Sequence, residues 1–246
     1  MNQHDTTPVA DRVFDGGAMD CGSGLILLIR QNMLSVPEGG ILEIRSSEPT
    51  VEVELPPWCR MVGHSHIASR EEGTGLWRHW VRRGSDVSTE KGDFEVDTQK
   101  AKEFRFSVRA RRTTPLETTV YARNFSWKSG TSVSFDRKSV LPGSLEQFLG
   151  ALVADVINGF ALRCSRNEIV LDELEGMLNA SLHNSLAAVG LEAGDSSVKS
   201  ITLNVYATTP SPENAIRDEW TQTLIESPVF QTLTKSCELN ANLVLV

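Results

Sequence analysis

Between Ser85 and Glu103 the chain reads SDVSTEKGDFEVDTQKAKE, with six acids and three lysines in 19 residues and only Val87, Phe94, Val96 and Ala101 apolar. So little apolar surface cannot offset the entropy of ordering a buried element. The stretch is therefore read as a solvated polar linker, 85–103, that divides 246 residues into two modest domains, 9–84 and 104–246. A single core running through the whole chain is excluded on this reading.

Charge narrows the partners. Twenty-four basic residues against 32 acidic ones leave a net charge of −8. Coating nucleic-acid phosphates or an anionic membrane requires basic surface, so neither is an expected partner. The four cysteines, Cys21, Cys59, Cys164 and Cys237, are too few for a disulfide framework and suit a reducing compartment. Met1 to Asp11 has neither a basic start nor an apolar run, so no secretory signal is expected and the cytoplasm is the default location. The longest apolar stretch, Phe148 to Leu162, is shorter than the roughly 20 residues of a membrane span, and is read as the central helix of a soluble core.

In the first segment Val13 and Phe14 close a short strand and Gly16-Gly17 turns the chain. Leu25 to Leu34 carries one apolar face at helical spacing, so a helix starts close to Cys21. Ile41 to Arg45 is a strand, a second helix begins around Pro56-Pro57-Trp58, and Gly63 ends it. His66–Ser69 and Leu76–Arg82 are two closing strands around Glu72-Gly73-Thr74-Gly75. The order is β-α-β-α-β-β, a two-layer α+β sandwich.

The second segment is α+β as well. Phe104, Phe106, Val108 and Ala110 alternate with Arg105, Ser107, Arg109 and Arg111, the period of a half-buried strand. Val120–Trp127 and Thr131–Phe135 are expected to pair as a hairpin around Lys128-Ser129-Gly130. Ser144 is expected to cap a central apolar helix reaching about Arg163. Strands follow at Glu168–Ala180 and Val198–Ala207. A helix opened by Ser211-Pro212-Glu213 and a last strand over Leu239–Val246 complete the segment.

Unpaired amides at a helix start favour a thiolate, and Gly22 and Gly24 leave room beside Cys21 for a second sulfur, while the Asp20 carboxylate opposes a second negative charge. On these residues alone Cys21 is as readily a structural cysteine as a reactive one. Phe14-Asp15-Gly16-Gly17-Ala18-Met19-Asp20-Cys21, the apolar helix after it, and Glu54-Leu55-Pro56-Pro57-Trp58-Cys59-Arg60-Met61-Val62-Gly63-His64 resemble the TusA/SirA-like sulfur-carrier family over about residues 9–84. The resemblance implies that Cys21 carries sulfane sulfur as a persulfide between donor and acceptor proteins. The family's Cys-Pro-x-Pro is here Cys21-Gly22-Ser23-Gly24, which predicts a looser helix start. Cys59 is a candidate second thiol. Cys59, His64 and His66 match no standard zinc spacing, so neither metal nor cofactor is expected.

Ser144 to Asp155, with Trp127-Lys128-Ser129-Gly130 and Glu226-Ser227-Pro228-Val229-Phe230, resembles OsmC-like proteins over about residues 104–246. Active members reduce hydroperoxides with two cysteines, and those positions here hold Asp155 and Ser227. Neither can be oxidised and resolved as a thiol is, so peroxide reduction is not expected from this pair. Glu146 matches an acidic position near the family's peroxide site, leaving Glu146, Asp155 and Ser227 as a possible pocket remnant. The reading that results is a sulfur carrier or sulfurtransferase-like protein with an OsmC-like domain for homodimerisation or ligand binding. The alternatives are a thiol-dependent hydroperoxide reductase and a non-catalytic binding module.

Overall fold

The computed structural model describes residues 7–73, 75–85, 87–136 and 138–246, without the side chains of Ser23 and residues 87–93. Residues 1–6 of the stretch read for a targeting signal, and Thr74 in the expected turn, lie outside the described residues. The chain divides into two compact units, one ending at Phe104 and taking in Ser165–Asn167, the other made of Arg105–Cys164 and Glu168–Val246.

The first unit comprises β1 (Arg12–Asp15), a 3-10 turn (Cys21–Ser23), α1 (Leu25–Met33), β2 (Ile41–Ser46), α2 (Thr50–Met61), β3 (Ser65–Glu71), β4 (Trp77–Arg82) and α3 (Val87–Lys102). Its sheet has the order β1-β2-β4-β3, with β1 and β2 parallel and the other neighbours antiparallel. The βαβαββ order stands. Leu25, Ile29 and Met33 on α1 and Val51, Leu55 and Cys59 on α2 recur every four residues and are fully buried with Leu42, Ile44 and Val81 of the sheet. Burial of each Leu or Ile contributes about 1.5–3 kcal/mol.

Two expectations for this unit need correction. The second helix starts at Thr50, six residues before the proline pair, and holds Pro56 and Pro57 in its interior. The Glu48 carboxylate accepts from the Thr50 amide at 3.1 Å, which satisfies a donor of the first turn. The segment expected to be an unstructured linker is α3, and it packs on α1. Arg30, buried on α1, lies 3.5 Å from the Asp97 carboxylate of α3 and 5.9 Å from the centroid of the Trp58 ring. An ion pair thus helps to seat this helix.

The second unit comprises β5 (Val108–Thr114), β6 (Glu117–Ala122), β7 (Phe125–Ser129), α4 (Ser144–Arg166), β8 (Glu173–Leu182), α5 (Ser185–Ala188), β9 (Val198–Thr208), α6 (Glu213–Glu226), α7 (Pro228–Leu233) and β10 (Glu238–Leu245). β5, β6 and β7 form an antiparallel meander, and β10-β9-β8 a mixed sheet. Leu152, Val156, Phe160 and Cys164 form the buried stripe of α4, packed with Ile201, Leu203, Val205 and Ala207 of β9 and with Ile216 and Trp220 of α6. At 23 residues α4 has the length and composition to cross a membrane, and this stripe identifies it as the core helix of the unit.

Several expectations for this unit differ from what the chain does. The strand expected from Phe104 begins at Val108, because β6 ends at its partner Ala122 and offers no ladder to residues 104–107. The hairpin turns at Arg123-Asn124, with Arg123 at φ 51°, not at Lys128-Ser129-Gly130, which falls at the end of β7. No strand forms over Thr131–Phe135. The strand expected from Glu168 begins at Glu173, and α6 opens one residue later than expected, with Pro212 as its N-cap.

Candidate functional site

The loop that presents Cys21 is tied to the sheet at the ends of β1 and β2. The Asp15 carboxylate accepts from the Gly17 amide at 2.7 Å, fixing a turn in which Gly17 has φ +56°. Gly16 donates to the Arg45 carbonyl at 2.9 Å and Ser47 to the Gly17 carbonyl at 2.9 Å. Met19 is buried beyond the turn, and Cys21 follows half-buried.

Cys21 does not open the helix, contrary to expectation. It starts a separate 3-10 turn, and Gly24, with φ 103°, stands between that turn and α1. Proline holds φ near −65°, so the family's second proline cannot occupy the conformation that Gly24 adopts. The amides of α1 therefore do not serve Cys21 as a helix start would. Burial and carboxylates act on the thiol instead. Burial is the largest influence, the thiol donates to Glu54 of α2, and the charges of Glu54, Asp20 and Glu48 add to it; together they push the thiol up to about 12. At neutral pH Cys21 is a thiol, not a thiolate.

Cys59 is sealed in the core under α2, and burial pushes its thiol to about 12 as well. Cys21 and Cys59 are both free. His64 accepts from the Gly84 amide at its Nδ1, whereas His66 Nε2 meets Ser69 Oγ, so the two imidazoles serve different partners. Among the described residues no group of three His, Cys, Asp or Glu could hold a metal ion.

In the second unit the structure brings Asp155 and Ser227 together. The Ser227 hydroxyl donates to Asp155 Oδ2, which also accepts from the Val229 amide at 3.2 Å. Ser227 Oγ in turn accepts from the Phe230 amide at 3.1 Å and caps α7. The carboxylate in an otherwise apolar helix is thus engaged by a hydroxyl and a backbone amide, which offsets its partial burial. Glu146 lies apart, nine residues earlier or about 13 Å along the helix. Its carboxylate accepts from the Gly143 amide at 2.7 Å and caps α4. Glu146→Ala is expected to lower the unfolding free energy by about 1 kcal/mol in a urea titration, as loss of a cap does. Trp127 Nε1 donates to Gln147 Oε1 at 2.8 Å, and Gln147 donates back to the Lys128 carbonyl at 3.2 Å, joining β7 to the same turn. A surface cavity of about 390 Å³ opens beside it, between Ser144, Leu145, Phe148, Leu182 and Val198. None of Glu146, Asp155 and Ser227 lines it.

No family model matches the chain. The sulfur carrier protein TusA of Pseudomonas putida strain GB-1 is 26% identical over 82 residues, which are 33% of this chain and 98% of that protein. The sulfur carrier protein TusA of Pseudomonas syringae pv. syringae strain B728a is 32% identical over 62 residues, 25% of this chain and 71% of that protein. The chain belongs to the TusA sulfur-carrier family. The similarity lies in its N-terminal third, so the TusA-like part is the βαβαββ unit that holds Cys21. An OsmC-like protein from Mycoplasma pneumoniae superposes with a TM-score of 0.50 at 18% identity, covering 58% of this chain and 99% of that one. That likeness establishes the fold, and the chain joins a TusA-like unit to an OsmC-like one.

Sequence reasoning missed Glu54 as a neighbour of Cys21. It stands 33 positions away on a helix face that periodicity marks only as exposed.

Proposed function

We propose that the protein relays sulfane sulfur as a persulfide on Cys21, receiving it from a donor protein and delivering it to an acceptor protein in the cytoplasm. The half-exposed placement of Cys21 in a TusA-like unit carries the reading, since the unit's other thiol, Cys59, is closed to reagents by the core. In the loading step Cys21 gives up its proton, its sulfur attacks the outer sulfur of a donor persulfide, the donor S–S bond breaks, and the donor leaves as a thiolate. Burial, with the three carboxylates around it, holds Cys21 protonated, so in this reading a docking partner brings positive charge to the site.

The OsmC-like unit serves as a homodimerisation element in this reading. Phe106, Val108, Phe125 and Trp127 present exposed apolar surface on and beside the β5–β7 sheet, with Phe106 91% accessible. The cavity at the α4 start is the place for a small ligand. Incubating the full chain with a cysteine desulfurase and cysteine, or with thiosulfate, is expected to add the mass of one sulfur atom to Cys21, located by peptide mass spectrometry. Equal labelling of wild type and Cys21→Ala would refute the assignment, and a monomer at all concentrations in sedimentation velocity would refute the dimer.

A further inference from the structure

Away from Cys21, the inner face of β3 and β4 holds three polar side chains that the sulfur-carrier reading does not use. Ser69 pairs with His79 across the two strands, and His66 lies on the same face opposite Val81. Ser69 Oγ lies 2.9 Å from His66 Nε2 and 2.8 Å from His79 Nδ1, so one hydroxyl joins two imidazoles. His79 is fully buried, stacks on Trp77 at 6.2 Å between centroids, and has no hydrogen-bond partner at its Nε2.

Counting protons sets the direction of this chain. Ser69 has one proton to donate, so with both rings neutral one imidazole must donate to Ser69 and the other must accept from it. If His66 were the donor, His79 would have to carry its proton on the buried, partnerless Nε2, and an orphaned N–H is costly. His79 Nδ1–H therefore donates to Ser69 Oγ, and Ser69 O–H donates to His66 Nε2. A further proton has no place. On His66 Nε2 it would turn that acceptor into a donor and strand the serine proton, and on His79 Nε2 it would be buried without a partner.

We propose that His66, Ser69 and His79 form a proton latch that fastens the edge strand β3 to β4 while both rings are neutral and releases it on acidification. β3 is an outer strand of the sheet and α2 packs on it, so release loosens the element that places Glu54 beside Cys21. On β3 itself Glu71 shares this face two residues beyond Ser69, opposite Trp77, but it is exposed and its carboxylate accepts from the Gly75 amide at 3.4 Å. On β2, Ile44 pairs with His79, while Glu43 and Arg45 pair with Trp80 and Arg78 and so belong to the opposite face. From α2 the buried ionisable side chain is Cys59, held neutral, and His64 at the end of that helix meets Trp58 edge-on and Gly84. Burial depresses His79 to about 4, with the neighbouring His66 adding to it, and burial lowers His66 too. Because the unfolded chain takes up these protons near the ordinary histidine range and the folded chain does not, stability falls as pH drops from about 6.5 toward 4.

The test is ring ¹⁵N NMR of the full-length protein at pH 7.5, followed by hydrogen exchange of β3 and β4 amides down an acid series. The latch requires His79 as the Nδ1–H tautomer with His66 Nε2 unprotonated. It also requires β3 amide protection to fall at least tenfold between about pH 6.5 and pH 4.5, while α4 of the other unit stays protected. Ser69→Ala, which keeps both imidazoles and their burial, should leave β3 exchange higher at pH 7.5 and shrink that selective acid loss. A proton on His79 Nε2, acid-insensitive β3 amides, or wild-type behaviour in Ser69→Ala would each overturn the proposal. None of these outcomes depends on sulfur loading.

Discussion

Alkylation of Cys21 by a small neutral reagent at pH 7 is expected to run about 30-fold slower than that of an unperturbed cysteine. The thiol stands at about 12 against an ordinary value of 9.0, so its thiolate fraction is smaller by about a thousandfold, and the greater nucleophilicity of a more basic thiolate recovers about half of that on a logarithmic scale. Glu54→Gln removes the nearest of the three charges and the carboxylate that accepts the thiol proton. Each tenfold gain in acidity should then raise the rate by about threefold, and Asp20→Asn should add a smaller increment. The measurement is the pH profile of iodoacetamide labelling at Cys21, with Cys59 as the buried internal control. An unchanged profile in Glu54→Gln would show that the carboxylates do not govern this thiol. The same electrostatics predict that uptake from thiosulfate, itself an anion, will be slower than uptake from a donor protein that docks a basic surface.

Hydroperoxide consumption with a dithiol reductant is expected to remain at the level of a cysteine-free variant. Asp155 and Ser227, to which the resemblance assigns the family's cysteine positions, meet as a hydroxyl donating to a carboxylate. Neither oxygen can pass through a sulfenic acid. The pair has a structural task instead. Asp155→Ala leaves the Ser227 hydroxyl and the Val229 amide without their acceptor, and bonds to a charged group are worth about 1.5–3 kcal/mol each. Allowing for the partial exposure of Asp155, the variant is expected to lose about 3 kcal/mol in urea unfolding, and Asp155→Asn, which keeps one acceptor, less than half of that. Peroxide turnover by wild type, or a stable Asp155→Ala variant, would contradict this account.

The βαβαββ unit was legible because each break carries a local signal: Gly16-Gly17, Pro37 with Gly39-Gly40, and Gly63 all fall between elements. The start of α2 was not, because Pro56-Pro57 imitates the first turn of a helix while the chain places the pair inside one. α3 was missed for a different reason. The Arg30–Asp97 ion pair helps to hold it on α1, and a tertiary contact of that kind leaves no periodicity in the sequence. The β6–β7 turn uses Arg123-Asn124 without glycine, whereas Gly130 nearby gave a stronger but misplaced signal. At the sites, family position marked Asp155 and Ser227 as residues of interest but not the hydroxyl–carboxylate bond between them, and the carboxylates around Cys21 are assembled from the loops after β1 and β2 and from α2, which only the folded chain brings together.

The break at Gly24 is a matter of backbone conformation, not of room. A side chain added at this residue would meet nothing within 4 Å, but a φ of 103° is one that side-chain-bearing residues rarely adopt. Glycine is therefore what lets the turn carrying Cys21 end and the buried stripe of α1 begin at that residue. Proline, fixed at about −65°, would impose another path there, so restoring the family's second proline would rebuild the connection between thiol and helix.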